Sequence, residues 1–431
     1  MEWPVLQLAL DFVDFHRALK VAEEALKGGV DWLEAGTPLI KSEGLDCVRE
    51  LKRKFPNVPV VADMKTMDTG ALEVEAAAKA GADVVIVLGL ADDSTIREAV
   101  EAARRVGAKI MADMINVEDM PTRAVELERL GVNYVCVHVG IDQQMRGMKP
   151  LEVLKQVVDV VSVPVAVAGG INSESAAKAV EAGASIVIVG GAITKAEKAE
   201  EAARAIKQAM LTKKPLETKM FRKFTEGELI EAFKKVSTPN IADAMHKKGA
   251  MKGIKPVVQG VKVVGRAVTV RTYPGDWSKP VQAIDVAEPG SVIVIDAGGS
   301  EEAVWGELAT WSCVVKGVAG VVVDGAIRDV EVIRELKFPV FTRHVNPKAG
   351  EPKGFGEINV EILCGGVKVE PGDWIIGDDN GVVVVPKDKA VEIANRAIDV
   401  MEKENRIREE IKRGSSLSKV LQLKKWDKVI G

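Results

Sequence analysis

Four times in the first 210 residues, a helical stretch rich in Ala, Glu and Lys runs into a glycine and a Val/Ile strand follows at once. The junctions are K-G-G-V-D-W-L-E-A (27–35), K-A-G-A-D-V-V-I-V (79–87), L-G-V-N-Y-V-C-V (130–137) and E-A-G-A-S-I-V-I-V (181–189). A glycine suits the position just past a helix end, and a short uninterrupted apolar run suits a strand buried on both faces. Further strands read at 4–10, 58–63, 109–113 and 163–168. Eight strands alternating with helices in about 200 residues predict an α/β chain whose N-terminal part closes into a (β/α)8 barrel rather than an open sheet.

Such a barrel carries its chemistry at the C-terminal ends of its strands. Those ends hold Asp11, Glu34, Asp63 with Lys65, Asp113 and His138 on strands one, two, three, five and six. Strand seven ends in A-G-G-I-N (Ala168, Gly169, Gly170) and strand eight in V-G-G-A-I-T (Gly190, Gly191). Two glycine-rich turns at these two strands offer backbone N–H groups to one phosphate; taken singly, such glycines only permit tight turns. Glu34 and Asp63 come from neighbouring strands and suit a shared magnesium (or manganese) ion, which keeps positions for water and substrate oxygens. Asp11 is placed to orient Lys65 or the metal's waters. Lys65 adds a positive charge beside the metal, the combination that stabilises an enediolate. His138 is one of only four histidines and suits a proton shuttle near neutral pH. The residues point to an enediolate reaction on a sugar phosphate, and they leave decarboxylation, isomerisation and aldol addition equally open.

Composition narrows the setting. Lys+Arg 59 against Asp+Glu 63 gives a net charge of -4, which argues against a general nucleic-acid surface. The four cysteines are widely separated with no CxxC pair, which argues against zinc or a disulfide framework and fits a reducing cytoplasm. No basic leader and no membrane-length apolar run is read.

Beyond residue 210 the pattern changes. Residues 211–224 read as a charged linker, 225–413 as a second, mixed α/β layered domain closed by an amphipathic helix, and 414–431 as a peripheral tail suited to an oligomer contact. In this domain the strand S-V-I-V-I-D leads into G-G-S-E-E-A-V-W-G-E, ending at Glu307, and G-V-V-V-D-G leads into A-I-R-D, ending at Arg328 and Asp329. Arg328 suits a bidentate carboxylate clamp, and Asp329 with Glu307 suits a hard metal ion. A structural Arg328–Asp329 pair with Glu307 on a solvated helix face fits the same residues equally well.

The first half resembles a known family. D-M-K-T-M-D (63–68) is similar to the D-x-K-x-x-D motif of the orotidine-monophosphate decarboxylase suprafamily. With Q-L-A-L-D, E-A-G-T-P-L-I-K, A-D-M-I-N and H-V-G-I-D-Q-Q, residues 1–210 resemble the 3-hexulose-6-phosphate synthase family. The related 3-keto-L-gulonate-6-phosphate decarboxylases, the alternative, typically carry Glu, Arg and Thr where this chain has Asp113, Ile141 and Ala168. The resemblance implies that ribulose 5-phosphate binds magnesium on Glu34 and Asp63, and that His138 removes the C1 proton. Lys65 then steadies the enediolate, which adds to formaldehyde, or the reverse cleavage supplies pentose phosphate. It also implies a dimer in which Asp68 reaches into the partner's site.

Residues 230–400 resemble the RraA-like family, which includes 4-hydroxy-4-methyl-2-oxoglutarate aldolases, with V-V-V-D-G-A-I-R-D as the most specific part. That resemblance implies a swivelling β/β/α fold and a trimer. Its function is either a metal-dependent pyruvate aldolase or oxaloacetate decarboxylase, with a 2-oxoacid on Arg328 and metal waters on Asp329, or a regulatory binding module. Glu307 stands where Asp is common.

Overall fold

The structure is a computed structural model that describes residues 4–146, 148, 150–218, 221–423 and 427, without the side chain of Glu152. Residues 219 and 220 of the linker, and 424–426 and 428–431 of the tail, lie outside the described residues. Packing divides the chain into two compact units, 1–223 with 402–431 and 224–401.

In the first unit, β1 (Val5–Leu10), β2 (Trp32–Ala35), β3 (Val60–Thr66), β4 (Val84–Leu88), β5 (Lys109–Asp113), β6 (Tyr134–His138), β7 (Val165–Ala168) and β8 (Ile186–Val189) close into a barrel in sequence order. Every pairing is parallel, including the closure of β1 on β8. Strand parity sorts the side chains. Leu6, Leu8 and Leu10 pack outward against the helices, whereas Val5 and Ala9 join Trp32, Val61, Met111, Tyr134, Cys136, Ala166 and Ile188 in the barrel interior. Counting on by twos, the same parity turns Asp11, Glu34, Asp63, Asp113, His138 and Ala168 toward the barrel axis at the mouth. The predicted strand ends therefore converge because of chain geometry.

The helices end as the sequence predicts. At the four glycine junctions, Gly29, Gly81, Gly131 and Gly183 take left-handed φ of 97°, 107°, 96° and 100°. Asp14, Asp92, Asp119 and Asn172 each accept a hydrogen bond from a first-turn backbone N–H, satisfying donors that a helix start leaves open.

The second unit is built on a mixed sheet, with the layered α/β character expected. Its strands are β9 (Lys255–Pro256), β10 (Val263–Arg271), β11 (Val292–Asp296), β12 (Ala303–Trp305), β13 (Gly320–Ile327), β14 (Val340–Val345), β15 (Glu357–Ile358), β16 (Ile362–Cys364), β17 (Val367–Val369), β18 (Trp374–Asp378) and β19 (Gly381–Val385). The main order is β19-β18-β10-β11-β13-β14-β9. The β10–β11, β11–β13 and β13–β14 pairs are parallel, and β18 pairs antiparallel with β10 and β19. G-D-D-N-G (377–381) is the β18–β19 turn; Asp378 accepts from the backbone and hydroxyl of Thr238 and from Asn380, which makes it a structural brace.

The sequence reading ends this domain at 413. By packing, the last helix (Ala390–Lys412) divides, and from Glu402 onward it groups with the barrel unit. Among the described residues, no helix is long and apolar enough to cross a membrane.

Candidate active site

Lys65 is the hub of the barrel mouth. Its Nζ donates to Asp63 Oδ2 at 3.0 Å and to Asp113 Oδ2 at 3.0 Å. Asp113 in turn meets His138 Nδ1 at 2.8 Å and accepts from the Ile115 backbone N–H at 3.0 Å. Asp63 Oδ2 also accepts from the Thr37 hydroxyl at 2.7 Å. A continuous chain therefore runs Thr37–Asp63–Lys65–Asp113–His138. Lys65 reaches it through a local break in the strand: β3 shifts register between Ala62 and Thr66, and Lys65 itself adopts a left-handed φ of 48°. A lysine there is held by its surroundings, and such strain gathers at functional positions.

The electrostatics separate the acids into two groups. Burial alone would raise the Asp113 carboxyl, but His138 and Lys65 outweigh it and bring it down to about 2. Burial would likewise lower Lys65, and Asp63 and Asp113 instead hold its ammonium well above the usual lysine range. Glu34 goes the other way: burial, then the carboxylates of Asp63 and Asp11, push it well above the ordinary range. Asp11 is raised for the same reasons, protein around it and Asp63 beside it. Burial and the neighbouring Asp63 carboxylate thus disfavour the charged forms of Glu34 and Asp11, an electrostatic imbalance that Lys65 does not remove.

That imbalance fits a divalent cation. Among the described residues, no group of three or more Asp, Glu, His or Cys side chains is arranged to hold a metal by itself. A two-carboxylate site completed by water and substrate is the arrangement magnesium accepts.

Asp113 also makes a pH prediction. A carboxyl lowered from 3.8 to about 2 contributes stability that is fully present above its unfolded value and lost as pH falls through its folded value. Asp113→Asn is therefore expected to lower the thermal midpoint by a constant amount above pH 4, with the gap to wild type closing toward pH 2 (the 3.8-to-2 window). A gap that widens toward acid would contradict this assignment of charge.

The glycines have distinct tasks. Gly169 and Gly170 take left-handed φ values of 109° and 68°, and a Cβ at Gly169 would lie 2.3 Å from the Val139 carbonyl oxygen. A Cβ at Gly36 would lie 2.2 Å from Asp11 Oδ1, so Gly36 makes room for that carboxylate. Gly190 and Gly191 have negative φ; Gly190 faces Asp11 Oδ2, and a Gly191 Cβ would sit 3.6 Å from Lys195 Nζ.

Of the predicted barrel residues, Asp11, Glu34, Asp63, Lys65, Asp113 and His138 are thus brought to one mouth. Asp68 is not. It is exposed, and it accepts from the Thr69 hydroxyl at 3.4 Å. Four site residues, Gly36 among them, are not marked by the sequence pattern. Gln7, fully buried, donates from Nε2 to Glu34 Oε2 at 2.6 Å, and its Oε1 has no partner among the described residues. Thr37 anchors Asp63, and Lys195 brings an ammonium over the Gly191 turn. The available signal for Gln7 was a lone amide in V-L-Q-L-A-L at inward parity.

In the second unit, Asp329 follows β13 with a left-handed φ of 58°, and its Oδ2 accepts from the Glu307 backbone N–H at 3.1 Å. Arg328 Nε lies 3.5 Å from the same oxygen, and both side chains are roughly half exposed, so this is a weak pair. A Cβ at Gly306 would lie 2.6 Å from Asp329 Oδ2, so that glycine admits the carboxylate. Arg328, Asp329 and the start of the helix Glu307–Lys316 are therefore neighbours, and the contact to Glu307 is made by its backbone.

The site is a lysine bridging two acids, with a histidine on the second, at the mouth of a closed parallel barrel. A family model described as orotidine 5'-phosphate decarboxylase / HUMPS family matches residues 4–206, and one described as RraA-like (Aldolase/RraA) matches residues 238–384. The chain belongs to the first family through its barrel and joins to it an RraA-like domain. The 3-hexulose-6-phosphate synthase of Bacillus subtilis is 42% identical over 207 residues, covering 48% of this chain and 98% of that protein. An uncharacterized protein of Methanocaldococcus jannaschii is 45% identical over 208 residues, covering 48% and 99%. The solved 3-keto-L-gulonate-6-phosphate decarboxylase of Vibrio cholerae is 28% identical with a TM-score of 0.45, covering 50% of this chain and 100% of that one.

Proposed function

We propose that the barrel catalyses aldol addition of ribulose 5-phosphate to formaldehyde, giving 3-hexulose 6-phosphate, or the reverse cleavage. The observation that carries this reading is the Lys65–Asp113–His138 relay. Asp113, held near 2, is an acceptor only, so His138 donates its Nδ1–H to it and presents the Nε2 lone pair to the substrate. Nε2 takes the proton from C1, and the C–H electron pair becomes the C1–C2 double bond as the C2 carbonyl oxygen gains the charge. The Lys65 ammonium lies beside that oxyanion. C1 then attacks the formaldehyde carbon, and the imidazolium returns its proton to the formaldehyde oxygen. Glu34 and Asp63 would hold magnesium or manganese, which when bound adds Lewis-acid polarisation of the substrate oxygens. The Gly169–Gly170 and Gly190–Gly191 turns hold the phosphate, with Lys195 alongside. Asp113, Ile141 and Ala168 favour the synthase over 3-keto-L-gulonate-6-phosphate decarboxylase. Ribulose 5-phosphate in D2O should exchange its C1 proton for deuterium with the native chain and not with His138→Asn; exchange at the native rate in the variant would remove His138 from the role.

For the second domain we propose metal-dependent chemistry on a 2-oxoacid. Support comes from the half-exposed guanidinium of Arg328 beside Asp329 in a strained conformation. Arg328→Ala is expected to weaken calorimetric binding of pyruvate or oxaloacetate by roughly 2–3 kcal/mol, the loss for a charged hydrogen-bonded partner. Unchanged binding would exclude the clamp. Absence of magnesium-dependent oxaloacetate decarboxylation, together with a stable trimer, would favour a regulatory binding module. A barrel dimer, with Asp68 supplied to its partner's site, belongs to the same proposal.

A further inference from the structure

Both candidate phosphate-gripping turns are tied to chain that lies beyond the barrel proper. After β7, Asn172 Nδ2 donates to the Phe221 carbonyl at 3.3 Å, and the Ser173 hydroxyl donates to the Leu216 carbonyl at 2.7 Å. Thr218 N–H donates to Glu174 at 2.8 Å. Phe221 takes a left-handed φ of 59°, and its own N–H donates to Glu402, which is 3% exposed. After β8, Arg406 Nη1 donates to the Ala196 and Glu197 carbonyls, each at 3.1 Å, and Arg413 donates to Glu197 O at 2.9 Å. Arg406 is 2% exposed and also pairs with Glu24 at 3.2 Å and Glu410 at 3.1 Å; Glu410 in turn binds Arg17.

These residues connect directly to the grip. Asn172 lies two residues past Gly170, where its Oδ1 caps the following helix, and Ala196 N–H donates to Ile193 O in the single turn that Gly191 opens. The braces are costly to build: a nearly buried guanidinium, a buried glutamate and a strained linker residue. The barrel family model ends at 206, and the Bacillus subtilis relative is matched over 98% of its length by 207 residues, so the bracing segments lie outside what those relatives share.

We propose that linker residues 216–218 and 221 and the segment 402–413 form a brace that fixes the two phosphate-binding turns, with Arg406 and Ser173 as positioning residues for the substrate phosphate. The proposal rests on the phosphate reading of those turns.

The test is steady-state kinetics of the full chain with ribulose 5-phosphate and formaldehyde, using inorganic phosphate as a competing probe. Arg406→Leu keeps apolar bulk and removes the carbonyl clamp. It is expected to raise KM for ribulose 5-phosphate and the inhibition constant of phosphate together, by roughly tenfold, with kcat little changed. Ser173→Ala removes one hydroxyl and should give the same paired shift at about threefold, so the test survives if Arg406→Leu does not fold. Glu402→Leu should reproduce the effect, and Glu402→Gln, whose amide oxygen still accepts from Phe221, should restore it. Folded variants with a lowered thermal midpoint but both constants unchanged would overturn the brace. If phosphate fails to compete in the native chain, the phosphate reading falls, and the brace with it.

Discussion

Replacing Lys65 with alanine is expected to lower kcat/KM for the barrel reaction by at least about 10³. Loss of one transition-state hydrogen-bond donor alone costs on the order of 10²–10³. Here the same ammonium also separates two buried carboxylates, Asp63 and Asp113, each within 3.0 Å. Without it, Asp63 and Asp113 lose their shared cation, and the Asp113–His138 contact loses a defined charge environment. The barrel should still close, because Lys65 stands at the mouth and not in the packed interior around Trp32, Met111 and Tyr134. Circular dichroism should stay native while turnover disappears. Turnover within tenfold of the native chain would contradict the relay.

Glu34→Gln is expected to move activity and stability in opposite directions. Glu34 is 4% exposed, and its carboxylate is penalised by burial and by Asp63 and Asp11. A neutral isostere relieves that repulsion, so the metal-free protein should unfold at a higher temperature. The same change removes half of the carboxylate pair that suits magnesium, so calorimetric magnesium affinity and kcat should fall, kcat by at least about 10². Lowered stability with unchanged magnesium binding would mean that Glu34 serves packing only.

Much of this site was legible because a β-strand alternates its side chains and a barrel gathers strand ends. Asp11, Glu34, Asp63, Asp113 and His138 could be collected from the sequence on that ground alone. Lys65 was placed with Asp63 by the same two-residue spacing, and the contact is real, yet it is made through a register shift and a left-handed backbone that no periodicity records. Gln7, Thr37 and Gly36 were missed because their importance lies in tertiary approach: an amide meeting a carboxylate across two strands, a hydroxyl reaching Asp63, an absent Cβ leaving room for Asp11. The final helix reads as part of one domain because its amphipathic pattern is continuous. Its division at Glu402 is set by Arg406, whose partners are Glu24, Ala196 and Glu197, roughly 200 or more residues away in sequence. In the second domain, Arg328 and Asp329 are consecutive in the chain, and their side chains approach to 3.5 Å. That Glu307 would contribute its backbone N–H to Asp329 was not readable from its side chain.

The most direct measurement compares two substrates on one preparation with magnesium: formaldehyde consumption with ribulose 5-phosphate, and CO2 release from 3-keto-L-gulonate 6-phosphate. Condensation well ahead of decarboxylation is the predicted result, with Asp113, Ile141 and Ala168 as the residues that set the preference. Decarboxylation ahead of condensation would contradict the synthase reading and assign the same relay to the decarboxylase reaction.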